Sequence, residues 1–580
     1  MGVLPGRTGF VTRRFLPVDR DQPALLPLNM YDWVPKDHVV WLVIDTVEQL
    51  ASPELVVQLA GGERKSPRGR RAYHPVMLLA LLAYAYCCGV LSTRAIEARC
   101  RVDATFRLAC AGLVPDHSTI SRFRRRACGD GGPMEDVFCA VLRVCAAAGL
   151  GRLSVVAADG VKIGANASKE ANRTEAGLRK LAAAIMAGAA GADEPGAAET
   201  GEDLFGGQVL EPGWADPRSR VRRVRACLAD FAAEREAAEA ARRVRGQAYL
   251  DAVAAGERVT RPPACVAAEA ARIQLEAARD RQQQLIDDWE ARRAAGQKMG
   301  RKPVPVESAK IVRVQRERLA RAEAAAARPQ EEEADGDPDA AGGAKEPKKR
   351  KARPVRNVTD PASALMPARG GGLKQGYNCQ DVAADDRLML GGFASACASD
   401  TVHAAALEQV AVKGAQIVAA AHADPGHDAA ACHARMCTAE DAAGPGHDIT
   451  ACHAQMTGGI GVLVEDAGYC SEANLTVDSP VDRLIATGNR AGMGKAAAAD
   501  PAAGPPPEDA TATEKMDHKL RTPEGRAAYK RRAPDVEGLH ASLEDRIGLR
   551  RFSLRGLPLV TGEFLLAGLC HNLLLLSRLT

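Results

Sequence analysis

Leu153-Ser154-Val155-Val156-Ala157-Ala158-Asp159-Gly160-Val161-Lys162-Ile163-Gly164-Ala165-Asn166-Ala167-Ser168 is the stretch from which the rest of the chain can be read. An apolar run rich in β-branched residues stops at an acidic residue and a glycine, the pattern of a buried strand closed by a turn. Asp159 is thereby predicted at the carboxyl end of a core strand, anchored rigidly yet reaching solvent, which suits a metal ligand. An Asx turn that merely ends the strand would leave the same two letters.

At 580 residues the chain exceeds one ordinary domain. Hydrophobic content of 46% and charged content of 26% are those of a soluble globular protein. The net charge of +4 is small for this size, so contact with nucleic acid has to be argued from local basic clusters. Sixteen cysteines without a CxxC pair, and no secretory leader, predict reduced thiols in the cytoplasm. Val76 to Leu91 is shorter than the roughly 20 residues that span a bilayer. Phe564 to Leu579 is interrupted by His571, Asn572 and Arg578. Both read as buried helices.

Residues 1–150 carry helical patterning. Apolar spacing predicts helices over Asp37–Val47 and Tyr73–Leu91, with shorter ones starting at Ser92 and Asp103. After a loop containing Gly112 comes Pro115-Asp116-His117-Ser118-Thr119-Ile120-Ser121-Arg122-Phe123-Arg124-Arg125-Arg126. A short helix, a glycine-bearing turn and a second helix suggest a helix-turn-helix. Ser118 and Thr119 at its start could reach base edges or phosphates, while Arg122, Arg124, Arg125 and Arg126 neutralise phosphate charge. A small bundle whose arginines are solvated or face a neighbouring domain fits the same letters.

Residues 169–330 read as a helical insertion, with Ala-rich charged helices over Leu178–Ala190, Arg218–Arg245, Ala264–Arg293 and Glu307–Ala327. Residues 331–354 form a charged, disordered linker. Sheet character returns with Gly372–Ala383 and Arg387–Ala394, a β-hairpin turning at Asp385-Asp386 beside the Asp159 strand, followed by a helix from about His403 to Ala420. Residues 421–458 hold a near-verbatim repeat, Pro425–Ala434 and Pro445–Ala454. Its histidines and cysteines could in principle bind zinc or copper, but the spacing fits no common zinc pattern.

Gly459-Ile460-Gly461-Val462-Leu463-Val464-Glu465-Asp466-Ala467-Gly468-Tyr469 repeats the opening pattern. Two such strands side by side would bring Asp159 and Asp466 to one edge, where their mutual repulsion is relieved by a divalent cation. A third acid is expected on a helix crossing that edge. Glu537, at the start of a helical run flanked by basic residues, supplies it. Three carboxylates make a hard site suited to Mg²⁺ or Mn²⁺, and two ions there would serve phosphodiester chemistry.

These pieces resemble, in order, a DDE-type bacterial insertion-sequence transposase with a ribonuclease H-like catalytic core. The resemblance rests on Tyr73-His74-Pro75, Pro115–Ile120, Asp159-Gly160-Val161-Lys162-Ile163, Gln375-Gly376-Tyr377-Asn378, Asp466-Ala467-Gly468-Tyr469, the Tyr529/Arg532/Glu537 block and Leu549-Arg550-Arg551-Phe552. It implies an α/β fold, a ribonuclease H-like mixed sheet flanked by helices. The catalytic core would comprise 151–168 and 355–580, behind an all-α DNA-binding domain and interrupted by the helical insertion. It implies Asp159, Asp466 and Glu537 as catalytic and metal-binding acids, with Mg²⁺ or Mn²⁺, two ions, as cofactor. Tyr529 and Arg532 would lie near DNA phosphates.

The family's lysine two turns after the glutamate is Glu544 here, with Arg546, Arg550 and Arg551 near enough to compensate, and Val161 replaces a common threonine. Lys162 and Asn166 are weaker candidates for DNA contact. The implied function is a transposase acting on double-stranded DNA, both terminal inverted repeats and target, as a homodimer or higher assembly in the bacterial cytoplasm. The alternatives are a catalytically decayed DNA-binding protein of the same fold and a metal-dependent nuclease without strand transfer.

Overall fold

The computed structural model describes residues 29, 32–61, 72–190, 217–327, 354–423 and 459–579, apart from 258, 261, 299, 369–370, 489–491, 493–494 and 496–498. Most of the charged linker and the whole His/Cys repeat lie outside the described residues. The chain divides into two units, one of residues 1–169 with 362–580, the other of residues 170–361.

The first unit begins with helices α1 (Val39–Gln49), α2 (Pro53–Ala60), α3 (Pro75–Cys87), α4 (Thr93–Val102), α5 (Ala104–Ala109), α6 (His117–Ala127) and α7 (Met134–Ala147). Their starts follow capping chemistry: Ser52 accepts from Leu55 N–H, Asp103 from Thr105 and Phe106 N–H, and Asp116 from Ser118 N–H. Helix α3 is apolar on every side and is buried accordingly.

Strand β1 (Val155–Gly164) corrects the opening expectation. It does not end at Asp159 but runs on for five residues, paired antiparallel with the hairpin strand from Val156↔Ala384 to Gly164↔Gly376.

The second unit carries helices α8 (Glu175–Ala190), α9 (Pro217–Ala254), α10 (Ala264–Ala294) and α11 (Lys310–Ala327), and a two-residue pair, β2 (Asn172–Arg173) with β3 (Arg356–Asn357). Successive helices pack on one another. Two small apolar clusters hold them, one of Leu178, Val224, Cys227 and Phe231, the other of Leu275, Ala278, Ala309 and Val312.

Back in the first unit, β4 (Ala364–Pro367) and β6 (Met389–Ser395) both pair with β5 (Leu373–Ala384) on the side away from β1. Helix α12 (Ala404–His422) follows, then β7 (Val462–Glu465), the short α13 (Glu472–Thr476) and β8 (Arg483–Ile485). β7 lies parallel to β1 and β8 parallel to β7, so the sheet is mixed, ordered β4-β5-β1-β7-β8. The chain ends in α14 (Ala512–Arg521), α15 (Pro523–Ala541) and α16 (Leu557–Leu576).

Helix α16 is long and apolar enough to cross a membrane, yet 83% of its apolar window is buried within the fold. It packs against α3, α7 and β6. The polar residues that interrupt its sequence are bonded there. Asn572 donates to the Met389 carbonyl at 2.9 Å and accepts the Met389 N–H at 2.9 Å. His571 Nε2 meets the Arg387 carbonyl at 2.8 Å.

Candidate active site

The register of β7 explains why Asp159 is accessible although it lies mid-strand. The parallel pairing with β1 stops at Ala157↔Val464, so Asp159 sits just past the point where its neighbour turns away. Asp466 is the residue on which that neighbour turns. Adjacent parallel strands thus place both aspartates at one notch in the sheet. Both aspartates face Arg532 at this notch, though only Asp466 follows a strand end.

Each aspartate uses its oxygens in the same way. Asp159 Oδ1 accepts the Gly160 N–H at 2.8 Å, and Asp466 Oδ1 accepts the Gly468 N–H at 2.8 Å. The Oδ2 atoms face Arg532 of α15, whose Nη2 lies 2.9 Å from Asp159 and 3.6 Å from Asp466. Burial, and then the Asp159 charge, push the Asp466 carboxyl up from its ordinary value, while Arg532 opposes them. The notch therefore holds more negative charge than it can comfortably keep, and a guanidinium occupies it.

Glu537 is not brought to this notch. It is exposed on the outer stripe of α15 with Pro534 and Ala541, whereas Ala533, Val536 and Leu539 face the core. Asp159, Asp466 and Glu537 do not place one oxygen each within 4.8 Å of one another; among the described residues, Glu97, Asp116 and His117 reach that spacing. That cluster is a helix start: His117 Nδ1 meets Glu97 at 2.9 Å, and Asp116 caps α6. Asp535, two residues before Glu537, faces the hairpin turn, where burial and then Asp385 push it up to about 7.

Tyr529 is partly buried beside Val155, Val464, Leu484 and Leu520. Glu544 lies in a π turn, Ser542–Arg546, that continues α15. Arg546 and Arg550 are exposed, Arg550 pairing with Asp545 at 2.5 Å. Arg551 is exposed and bonds back to the Ala165 carbonyl at 3.1 Å, and Lys162 is partly buried on β1. On α6, Ser118, Arg122, Arg125 and Arg126 are exposed and Thr119 is half-buried. Arg122 folds onto the Ser118 carbonyl at 3.2 Å, and Arg126 reaches the Ala60 carbonyl at 2.5 Å.

Arg124 departs from the expectation. It is 5% exposed and bonds the Leu91 carbonyl at 2.8 Å and Tyr86 Oη at 3.2 Å, with Glu563 at 4.0 Å. A run of four arginines on a helix cannot all face outward, and this one lies on the buried stripe with Ile120, Phe123 and Ala127.

Two groups near the notch have no sequence signature of their own. His540 of α15 pairs with buried Asp381, opposite Asp159 in the next strand, at 2.9 Å. Asp400, in the connection before α12, accepts from Asn378 Nδ2 at 2.7 Å and Gln380 Nε2 at 2.9 Å.

Comparison with known proteins adds to this geometry. A family model described as a transposase domain (DUF772) matches residues 28–126, which span α1 to most of α6. A second, described as a transposase DDE domain, matches residues 506–577, which carry Arg532, Glu537 and α16. No curated protein and no solved structure matches the chain. One transposase domain near the amino end and a transposase DDE domain near the carboxyl end support an insertion-sequence DDE transposase.

Proposed function

We propose that the chain binds the terminal inverted repeats of its own element, cleaves the donor DNA and joins the freed 3′ ends to target DNA by metal-dependent transesterification. The observation that carries this reading is the notch in which Asp159 and Asp466 share Arg532. Two carboxylates close enough to share one guanidinium suit a divalent cation, since hard oxygen donors with surplus negative charge are what Mg²⁺ or Mn²⁺ requires. The DDE domain implies divalent-metal dependence in general; two ions of Mg²⁺ or Mn²⁺ are our assignment.

Asp159 and Asp466 would hold the metal; Glu537 keeps the place of the third acid in the family motif but faces away from the notch in this structure. Such ions, when bound, activate a water or 3′-hydroxyl and stabilise the leaving oxygen. The rest falls to the chain. Arg532, once released from the carboxylates, would be available to a scissile phosphate. Exposed Arg546, Arg550 and Arg551 beyond α15, and Arg125 and Arg126 on α6, neutralise flanking phosphates. The hairpin beside β1 with parallel β7 and β8 on its other side supports a ribonuclease H-like core. Synapsis of two DNA ends calls for a homodimer or higher assembly.

The outward placement of Glu537 and the anionic Glu544 favour a second reading, a DNA-binding protein of this fold that has lost catalysis. Incubating the full chain with DNA carrying the element's own termini, plus Mg²⁺ and target DNA, separates them. Cleaved and joined products support transposition. Binding without cleavage supports the second reading, and cleavage without joining a nuclease.

A further inference from the structure

The glycines that follow the two aspartates, Gly160 directly and Gly468 after Ala467, make room for a third side chain. Gly160 is mid-strand, and Gly468 is in the turn after Asp466. Both lie against one side chain. A Cβ on Gly160 would meet Gln380 Nε2 at 2.5 Å, Asp400 Oδ1 at 2.8 Å and Asn378 Oδ1 at 3.1 Å. A Cβ on Gly468 would meet Asp466 Oδ1 at 2.9 Å and Asp400 Oδ2 at 3.1 Å. Both motifs leave space for the same carboxylate.

That carboxylate is held from several directions. Asn378 and Gln380, both fully buried on β5, donate to its Oδ1. Gln380 is itself held by Tyr469 Oη at 2.5 Å, and Tyr469 belongs to the Asp466 turn. Thr401, next in sequence, donates to the Gly468 carbonyl at 2.8 Å. The bracket thus uses β5 and the Asp466 turn together. Its donors all point at Oδ1, which leaves Oδ2 turned to the Asp466 side. Asn378 Oδ1 is buried without a hydrogen-bond partner beside Gly160, an acceptor held open at the same spot.

Packing alone does not require a carboxylate here. An amide or serine could accept the same two bonds without adding charge beside Asp159 and Asp466. Placing a third anion at an already repulsive notch costs stability unless a cation is bound there. We propose that Asp400 is a fourth carboxylate of the cation site, fixed by Asn378 and Gln380 so that its second oxygen adds to the charge of Asp466. This rests on the metal-dependent reading of the notch.

The test is Mn²⁺ binding to the full-length protein without DNA, followed by electron paramagnetic resonance of the free ion. Asp400→Asn keeps the acceptor for Asn378 and Gln380 and removes only the charge. It is expected to weaken Mn²⁺ binding about tenfold, the size of one carboxylate at a partly screened site, with the melting temperature preserved. Gly468→Ala, which would force Asp400 and Asp466 apart, is expected to weaken it as well, and serves if the first variant does not fold. Asp159→Asn is the reference. If it weakens binding while Asp400→Asn and Gly468→Ala do not, Asp400 is only a packing residue. If Asp159→Asn also leaves Mn²⁺ affinity unchanged, the metal reading fails and takes this inference with it.

Discussion

Arg532 illustrates how a single side chain can hold a site together before its chemistry begins. Its guanidinium is mostly buried, and its neighbours Asp159 and Asp466 would repel each other without it. Asp159→Asn is therefore expected to release part of that attraction, abolish strand cleavage by at least about a thousandfold and leave DNA affinity within about twofold. Gel-shift and end-cleavage assays on the same preparation measure both, and retained cleavage would falsify the role of Asp159. Arg124 makes the opposite case. Removing it strands Glu563, a fully buried carboxylate that also accepts from Tyr86, Ser553 and Leu554. Arg124→Ala is expected to cost about 3 kcal/mol in urea unfolding. Arg125→Ala, an exposed neighbour, should leave stability unchanged and lower DNA binding; the reverse pattern would return Arg124 to the DNA-facing set.

Among the elements, α16 has the clearest pH signature. Burial holds His571 down at about 4, so it is neutral in the folded chain at any pH above that. In the unfolded chain it takes a proton near 6.5. Its contribution is present above pH 6.5 and is lost as pH falls towards 4, because the unfolded state then binds the extra proton. Over that window it amounts to about 3 kcal/mol. His571→Gln, unable to titrate, should flatten this part of the stability curve, as denaturant midpoints at pH 4.5 and 7 would reveal. The helices, the hairpin and the β1–β7 neighbourhood were legible in the sequence because periodicity and apolar runs report burial directly. The end of β1 was not, because Gly160 has the letters of a turn but serves a close approach by Asp400. Asp400 itself lies in a connection without periodicity, and only the glycines after both aspartates hint at it. The orientation of Glu537 also escaped, since motif spacing says which residue is acidic but not which face of α15 it takes.

For the whole molecule, the informative contrast is between the two units. Residues 170–361 have their own small apolar clusters, and their two ends are tied by the pairing Asn172↔Asn357 and Arg173↔Arg356. A unit that closes its own neck can be removed without opening the remainder. Replacing it by a short Gly/Ser linker is expected to leave the other unit folded, with its melting temperature within about 5 °C of the full chain. A broad, non-cooperative transition in calorimetry would show instead that the two units fold as one.

Helix α16 has a bearing on how the protein is made. It fills the centre of a core whose other walls, α3, α7 and β6, are synthesised long before it. Until residues 557–576 leave the ribosome, those walls expose apolar surface to the cell and Tyr86 and Arg124 lack their buried carboxylate. Folding of this unit thus waits until α16 has emerged, and a product cut short before residue 557 would be cleared as an unfolded chain even though it retains Asp159, Asp466 and Glu537.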